Sequence, residues 1–214
     1  LTLPEPPGRS DFDPDGSYHA VKTDEWGVTW EYRIFGVWGH PLRRPLDDIS
    51  RLAHWSPPAA AALSGPAFES ALAETLRLRE RFYSVADWVS IFEPMHCVRR
   101  FEDVLMDIAL DTPEINRLAD MLAAYSIASV KRAIALGADA IRIGDDFGTQ
   151  EAMIVSPAAF RRFFTPRYRS IIAPVERAGK KTFFHCCGAV GELLGDFKEM
   201  GVDVLWPQLT AFDP

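Results

Sequence analysis

Two junctions constrain this chain more than any other feature: Leu136-Gly-Ala-Asp-Ala-Ile and Met200-Gly-Val-Asp-Val-Leu each close a helix on glycine and enter an apolar strand through aspartate. Glycine supplies the left-handed residue that ends a helix, and the apolar runs that follow are short enough for strands rather than helices. The same grammar extends in both directions. Strands are expected at Val85–Phe92, Ala138–Ile143, Thr182–His185 and Val202–Trp206. Helices are expected between them: from Pro66 to about Phe82 with Phe68, Leu72 and Leu76 on one face, a short one around Val98–Ile108, and a long one opened by Thr112-Pro113-Glu114. That long helix has Ile115, Leu118, Leu122, Tyr125, Ser129, Ala133 and Leu136 at helical spacing, and Gly137 stops it. Ser156-Pro157 opens the next, Thr165-Pro166 restarts it, Pro174 is expected to kink it and Gly179 ends it; Val190–Met200 is the last.

Strands alternating with helices predict a parallel α/β sheet, either a closed (β/α)8 TIM-barrel type or an open doubly wound sheet. Four strands are visible in 214 residues, whereas a complete barrel takes about 250 residues. The barrel reading therefore places only part of the barrel in this chain, and the runner-up is a small open sheet complete as it stands. Residues 1–65 are rich in Pro, Gly, Asp and Trp and read as an irregular amino-terminal region with one strand, Gly27–Phe35; residues 66–214 form the partial barrel.

In either architecture ligands meet the carboxyl ends of the strands. The first strand end offers Glu93, Met95, His96 and Cys97, the second Asp145, Asp146 and Gln150, the third His185, Cys186 and Cys187, the fourth Pro207 and Gln208. Strand alternation puts His185 and Cys187 on one side. Imidazole nitrogen and thiolate sulfur are favoured zinc ligands, but two donors make only half of a tetrahedral site. On spacing alone the plainer reading is a hydrogen-bonded histidine beside small apolar cysteines. Cys97, Asp145 or Asp146 could supply a third ligand.

Asp145 and Asp146, flanked by Gly144 and Gly148, are candidate catalytic carboxylates for proton transfer, substrate orientation or metal support. Their side chains diverge, so one is expected to face the pocket and the other to brace the loop; an Asp-Gly turn that merely caps amides would look similar. Glu93, His96, Gln150 and Gln208 are candidate substrate contacts. A single histidine after a strand is more often structural, and Lys180 and Lys181 at the opposite strand ends read as plain solvated lysines. Dinucleotide or P-loop glycine motifs and a nucleophile elbow are absent.

A formal charge of -7 with no basic stripe argues against nucleic acid and anionic membranes as partners. No apolar run approaches the roughly 18 to 20 residues of a membrane-spanning helix, so a cytoplasmic location is expected. Three cysteines, two of them adjacent, make a poor disulfide framework and point to free thiols or ligands.

Taken in order, DEWGVTW at 24–30, FEDVLMDIA at 101–109, GDDFGTQ at 144–150, SPAAFRRFFTPRYRSII at 156–172, FFHCCG at 183–188 and GVDVLWPQ at 201–208 resemble the uroporphyrinogen decarboxylase superfamily, most of all its corrinoid-linked methyltransferase branch. The resemblance covers about residues 24–208 and implies a TIM barrel. In that branch an H-x-C pair with a later cysteine binds zinc, which activates a thiol or related methyl acceptor. The pair carries over to His185 and Cys187, and the third ligand is expected outside this chain. The methyl donor implied is a corrinoid carried by a partner protein, with a thiol or pterin as acceptor. Metal-free decarboxylases of the superfamily use an arginine-rich segment to hold an acidic tetrapyrrole, a pattern that Arg33, Arg43, Arg44 and Arg51 do not reproduce. Decarboxylation of a tetrapyrrole and a truncated, non-catalytic binding protein remain the alternatives. Open sheet edges further predict a homodimer or poor solubility.

Overall fold

The computed structural model describes residues 7–208. Its centre is a four-stranded parallel sheet, β4 (Val85–Val89), β5 (Ala140–Gly144), β6 (Lys181–Cys186) and β7 (Val204–Pro207), in sequential order. Consecutive strands lie side by side without the reversal of order that defines a doubly wound sheet. With crossovers of one hand, every connecting helix falls on the same face. That is the arrangement of part of a TIM barrel. Helix α4 (Pro113–Ala135) packs beside α6 (Thr165–Arg177), and α6 beside α7 (Leu194–Met200).

Strand alternation separates the two faces of the sheet. Ile141, Ile143, Thr182, Phe184 and Cys186 are buried beneath the helices. On the other face Arg142, Phe183 and His185 are half-buried, and Trp88 and Trp206 are exposed. Much of the core is aromatic: Phe147 stacks on Phe92 at 5.2 Å and meets Phe160 and Phe164 edge-on at 4.9 and 4.8 Å. Full burial of such a ring is worth about 1.5–3 kcal/mol.

The capping residues behave as their chemistry requires, Thr112 accepting from the Ile115 N–H and Ser156 from the Ala159 N–H. Other elements differ from expectation. The first strand ends at Val89, and Phe92–Val98 is a separate helix, α2, followed by α3 (Phe101–Leu110). The helix opened by Ser156 runs as α5 (Pro157–Ala159), a π-helical segment Phe160–Phe164 and then α6. Departure from α geometry thus lies upstream of Pro174, in the wider turn that lets Phe160, Phe163 and Phe164 all reach the core.

The amino-terminal region is more regular than its composition implies. β1 (Ala20–Thr23), β2 (Thr29–Tyr32) and β3 (His40–Arg43) form an antiparallel sheet. The Asp24 carboxylate accepts from the Trp26 and Val28 N–H groups and from the Trp30 indole, folding the β1–β2 turn. Trp26 then packs edge-on against Tyr125 of α4 at 5.1 Å. α1 (Pro66–Arg79) follows the amino-terminal region and leads into β4. Among the described residues no helix is long and apolar enough to cross a membrane.

Candidate metal centre

Parallel pairing of β5 with β6 sets Gly144 opposite His185, so the loops after these strands leave the sheet side by side. Their glycines permit a very close approach: a Cβ on Gly188 would meet the Gly148 backbone, and Gly188 itself has φ +85°. Three backbone bonds hold the loops together, Gly148 N–H to Cys187 O, Ala189 N–H to Thr149 O and Asp145 N–H to His185 O. Phe147, sunk in the aromatic core, anchors the β5 loop. Its two preceding aspartates then point to different sides.

Asp145 points inward and is fully buried. Its carboxylate accepts from the amides of Ile91, Phe92 and Glu93 at 2.7, 2.9 and 2.6 Å, and from the Tyr168 hydroxyl. Burial pushes its pKa up to about 7, against the lowering effect of these donors. It therefore seats the start of α2, the helix that carries Glu93, His96 and Cys97.

Asp146 points toward the strand-end opening. One carboxylate oxygen accepts from the Cys187 N–H at 2.8 Å and lies 3.8 Å from His185 Nε2. His185 Nδ1 is 2.9 Å from the Trp206 carbonyl oxygen. A carbonyl only accepts, so Nδ1 carries a hydrogen, and in the neutral ring Nε2 is the nitrogen with the lone pair. That lone pair faces Cys187 Sγ at 3.2 Å. The Cys187 thiol is thus within hydrogen-bond reach of that nitrogen, and Asp146 acts on it as well.

The donor atoms of Asp146, His185 and Cys187 all lie within 4.8 Å of one another and can hold a metal ion. Bond lengths of about 2.0–2.3 Å in tetrahedral zinc imply donor separations of about 3.3–3.7 Å, and the histidine contacts of 3.2 and 3.8 Å bracket that range. Oxygen, nitrogen and sulfur donors together suit zinc, and the Nδ1–H bond to a carbonyl is the outer support that ligand histidines require. Without a cation, burial and then Asp146 push the Cys187 thiol up to about 11, leaving it protonated and weakly nucleophilic near neutral pH.

The other expected residues divide. Glu93 is half-buried, and burial raises its pKa; Trp88 donates to it at 3.2 Å, and Asp146 and His185 act on it electrostatically. Gln208 accepts from the Gly188 N–H at 3.2 Å, bracing the turn beside Cys187. His96 is not one of the three donors; it lies edge-on to Phe92 and Phe101 at 5.3 and 5.5 Å, with its pKa lowered by burial and Asp146 acting on it electrostatically. Gln150 is exposed on the β5 loop, and Cys97 packs against the core. Lys181, read from sequence as plainly solvated, pairs with Asp203 at 2.7 Å.

Sequence reasoning passed over two tryptophans. The His185 ring lies between Trp88 and Trp206, with ring centroids 5.5 and 4.8 Å away. Period-two spacing from the strand ends was the available signal, since Trp206 is the register partner of His185. Nothing in the sequence marked Tyr168 as the partner of Asp145.

Comparison with known proteins bears on the family and the fold. Residues 45–207 match the family described as Uroporphyrinogen decarboxylase (URO-D). No curated protein matches the chain. Among solved structures, a methyltransferase from Methanosarcina mazei superposes with a TM-score of 0.59 at 18% identity, over 87% of this chain and 52% of that one. The chain thus spans about half the length of that protein, and the likeness is one of fold.

Proposed function

The chain belongs to the uroporphyrinogen decarboxylase (URO-D) family, and on that premise we propose that it forms the zinc-binding part of a methyltransferase moving a methyl group between a corrinoid protein and a thiol or pterin acceptor. The observation that carries this reading is the His185 Nε2 lone pair, fixed by the Trp206 carbonyl and aimed at Cys187 Sγ, with Asp146 alongside. Decarboxylation of a tetrapyrrole would not need such a donor set.

In this reading His185, Cys187 and Asp146 hold the zinc, and Asp146 supplies from within the chain the third ligand expected outside it. When bound, zinc supplies Lewis acidity that keeps an acceptor thiol ionised near neutral pH. The surrounding residues perform the remaining work. Trp206 O sets the histidine tautomer, Gln208 braces the Cys187 turn, and Trp88 holds the Glu93 carboxylate toward the opening, where it can take or release the acceptor's proton. Asp145 acts one layer below, keeping α2 and therefore Glu93 in place. Free thiols suit a reducing, cytoplasmic setting.

Metal analysis tests the proposal. The purified chain is expected to carry equimolar zinc, with His185→Ala and Cys187→Ser losing it and Asp146→Asn holding it more weakly. Cobalt(II) in place of zinc should show a thiolate-to-metal charge-transfer band that disappears in Cys187→Ser. Absence of zinc together with unchanged methyl transfer in His185→Ala would overturn the reading, as would turnover of uroporphyrinogen in the presence of a chelator.

A further inference from the structure

The inner face of the sheet carries a cation for which the described residues provide no counter-ion. Arg142 stands in register between Trp88 of β4 and Phe183 of β6. Strand alternation puts it on the same face as Gly144, and Gly144 is the register partner of His185. The Arg142 backbone thus lies two residues, or about 6.6 Å along the strand, below the level of the histidine.

Several arginines here pair with a carboxylate, Arg99 with Asp107, Arg167 with Asp120 and Arg79 with Asp139, at 2.8, 2.8 and 2.6 Å, whereas Arg44, near the amino-terminal sheet, shares with Arg142 a buried Nε that has no acceptor. Among the described residues Arg142 has no such partner. Its Nε is buried without a hydrogen-bond acceptor, and its guanidinium lies over the Trp88 ring at 4.9 Å. Withdrawing a guanidinium from water onto a largely apolar sheet face is costly unless an anion joins it. The planar fork of arginine suits a bidentate oxyanion in particular.

We propose that Arg142 is the anion anchor of this site, so that the small molecule reacting beside His185 and Cys187 carries a carboxylate or sulfonate that binds the Arg142 guanidinium. The electrostatic layout gives the ligand one orientation. Glu93 and Asp146 place negative charge at the opening and repel an oxyanion, whereas Arg142 attracts it from below. A bound molecule therefore lies with its anion on the floor and its reacting atom at the donor triad. Trp88 links the two levels: its indole N–H reaches Glu93, its face supports Arg142, and its ring lies against Gly144, where any Cβ would collide with it.

The identity of the ligand's reacting end rests on the methyltransferase reading, but the anchor itself can be tested without it. Acetate and methanesulfonate are titrated into the full chain, zinc-loaded and zinc-free, with sodium chloride at matched ionic strength as control. Binding is read by calorimetry and by tryptophan fluorescence. Saturable binding is expected in both metal states, weakened about tenfold or more in Arg142→Gln and partly restored in Arg142→Lys, with zinc content unchanged. In Trp88→Phe the fluorescence response should vanish while calorimetric binding persists, a result that holds the inference open to refutation should Arg142→Gln fail to fold. Equal affinity in Arg142→Gln, a fluorescence response surviving in Trp88→Phe, or no saturable binding in the wild type would overturn the assignment. Loss of zinc-dependent methyl transfer with anion binding intact would reject the methyltransferase reading alone.

Discussion

At the amino-terminal ends of the parallel strands, donors outweigh burial at Asp139 and Asp203; at the carboxyl ends, burial outweighs the donors at Asp145 and Glu93 and raises Cys187. Asp139 accepts from the Ser84 N–H and from Arg79, which hold its pKa below the ordinary value. Asp203 is lowered as well, the Lys181 ammonium and the Thr182 N–H outweighing partial burial. Across the sheet the sign reverses, because burial raises Asp145, Glu93 and Cys187. The same strands thus end in settled ion pairs below and in groups held away from their preferred charge state above. This division matches the barrel rule that one end supplies stability and the other chemistry.

Four experiments probe that contrast. The largest effect is expected from Asp145→Ala, which strands the Ile91, Phe92 and Glu93 amides inside the protein and should cost about 4 kcal/mol in urea denaturation. A cost below about 1 kcal/mol would mean that α2 is seated by other contacts. Next is the reactivity of Cys187. Raised from 9.0 to about 11, its thiol should react with iodoacetamide roughly a hundredfold more slowly at pH 8 than an ordinary thiol in zinc-free protein. The rate should rise with pH toward 11, as followed by peptide mass mapping, and a plateau near pH 9 would refute the shift. Third, Gly188→Ala puts a Cβ into the Gly148 backbone at a left-handed position; a loss of about 2 kcal/mol is expected, together with weakened zinc binding as Asp146 and Cys187 separate. Thermal melts indistinguishable from wild type would show that the loops can part freely.

The smallest effect belongs to the lower end. A carboxyl lowered on folding stabilises the protein above its unfolded pKa, and that stability is lost as pH falls through the folded value. Melting temperature should therefore drop below about pH 4, and Asp203→Asn should reduce that drop while costing about 0.5 kcal/mol at pH 7. An unchanged acid limb in the variant would remove Asp203 from the account.

Much of this contrast is written locally in the sequence. Gly137 and Gly201 both adopt positive φ where they end helices, and the aspartates two residues later reach back to the neighbouring strand, which explains the repeated junction. The nearness of His185 and Cys187 also follows from strand alternation. What escaped the sequence is non-local. Asp145 caps a helix more than fifty residues upstream, so no spacing rule separates α2 from β4. Of the amino-terminal strands only β2 falls within an expected one, Gly27–Phe35; β1 and β3 are four residues each, and Pro41 interrupts the donors of β3, so their alternation is too brief to register. Tyr168 and the π-helical turn answer only to the packing of the phenylalanine cluster.

Sequential strand order has a kinetic consequence. Ala140 meets Lys181 and Phe183 meets Val204, so each new strand docks on the one made just before it. Loop closure is repeated over short chain segments instead of being imposed once across the whole polypeptide, which keeps contact order low for a parallel sheet. Assembly can then proceed from the amino terminus as synthesis delivers each βα unit. The donor triad is completed only when β6 joins β5, so the proposed metal site cannot form before the third strand of the parallel sheet arrives.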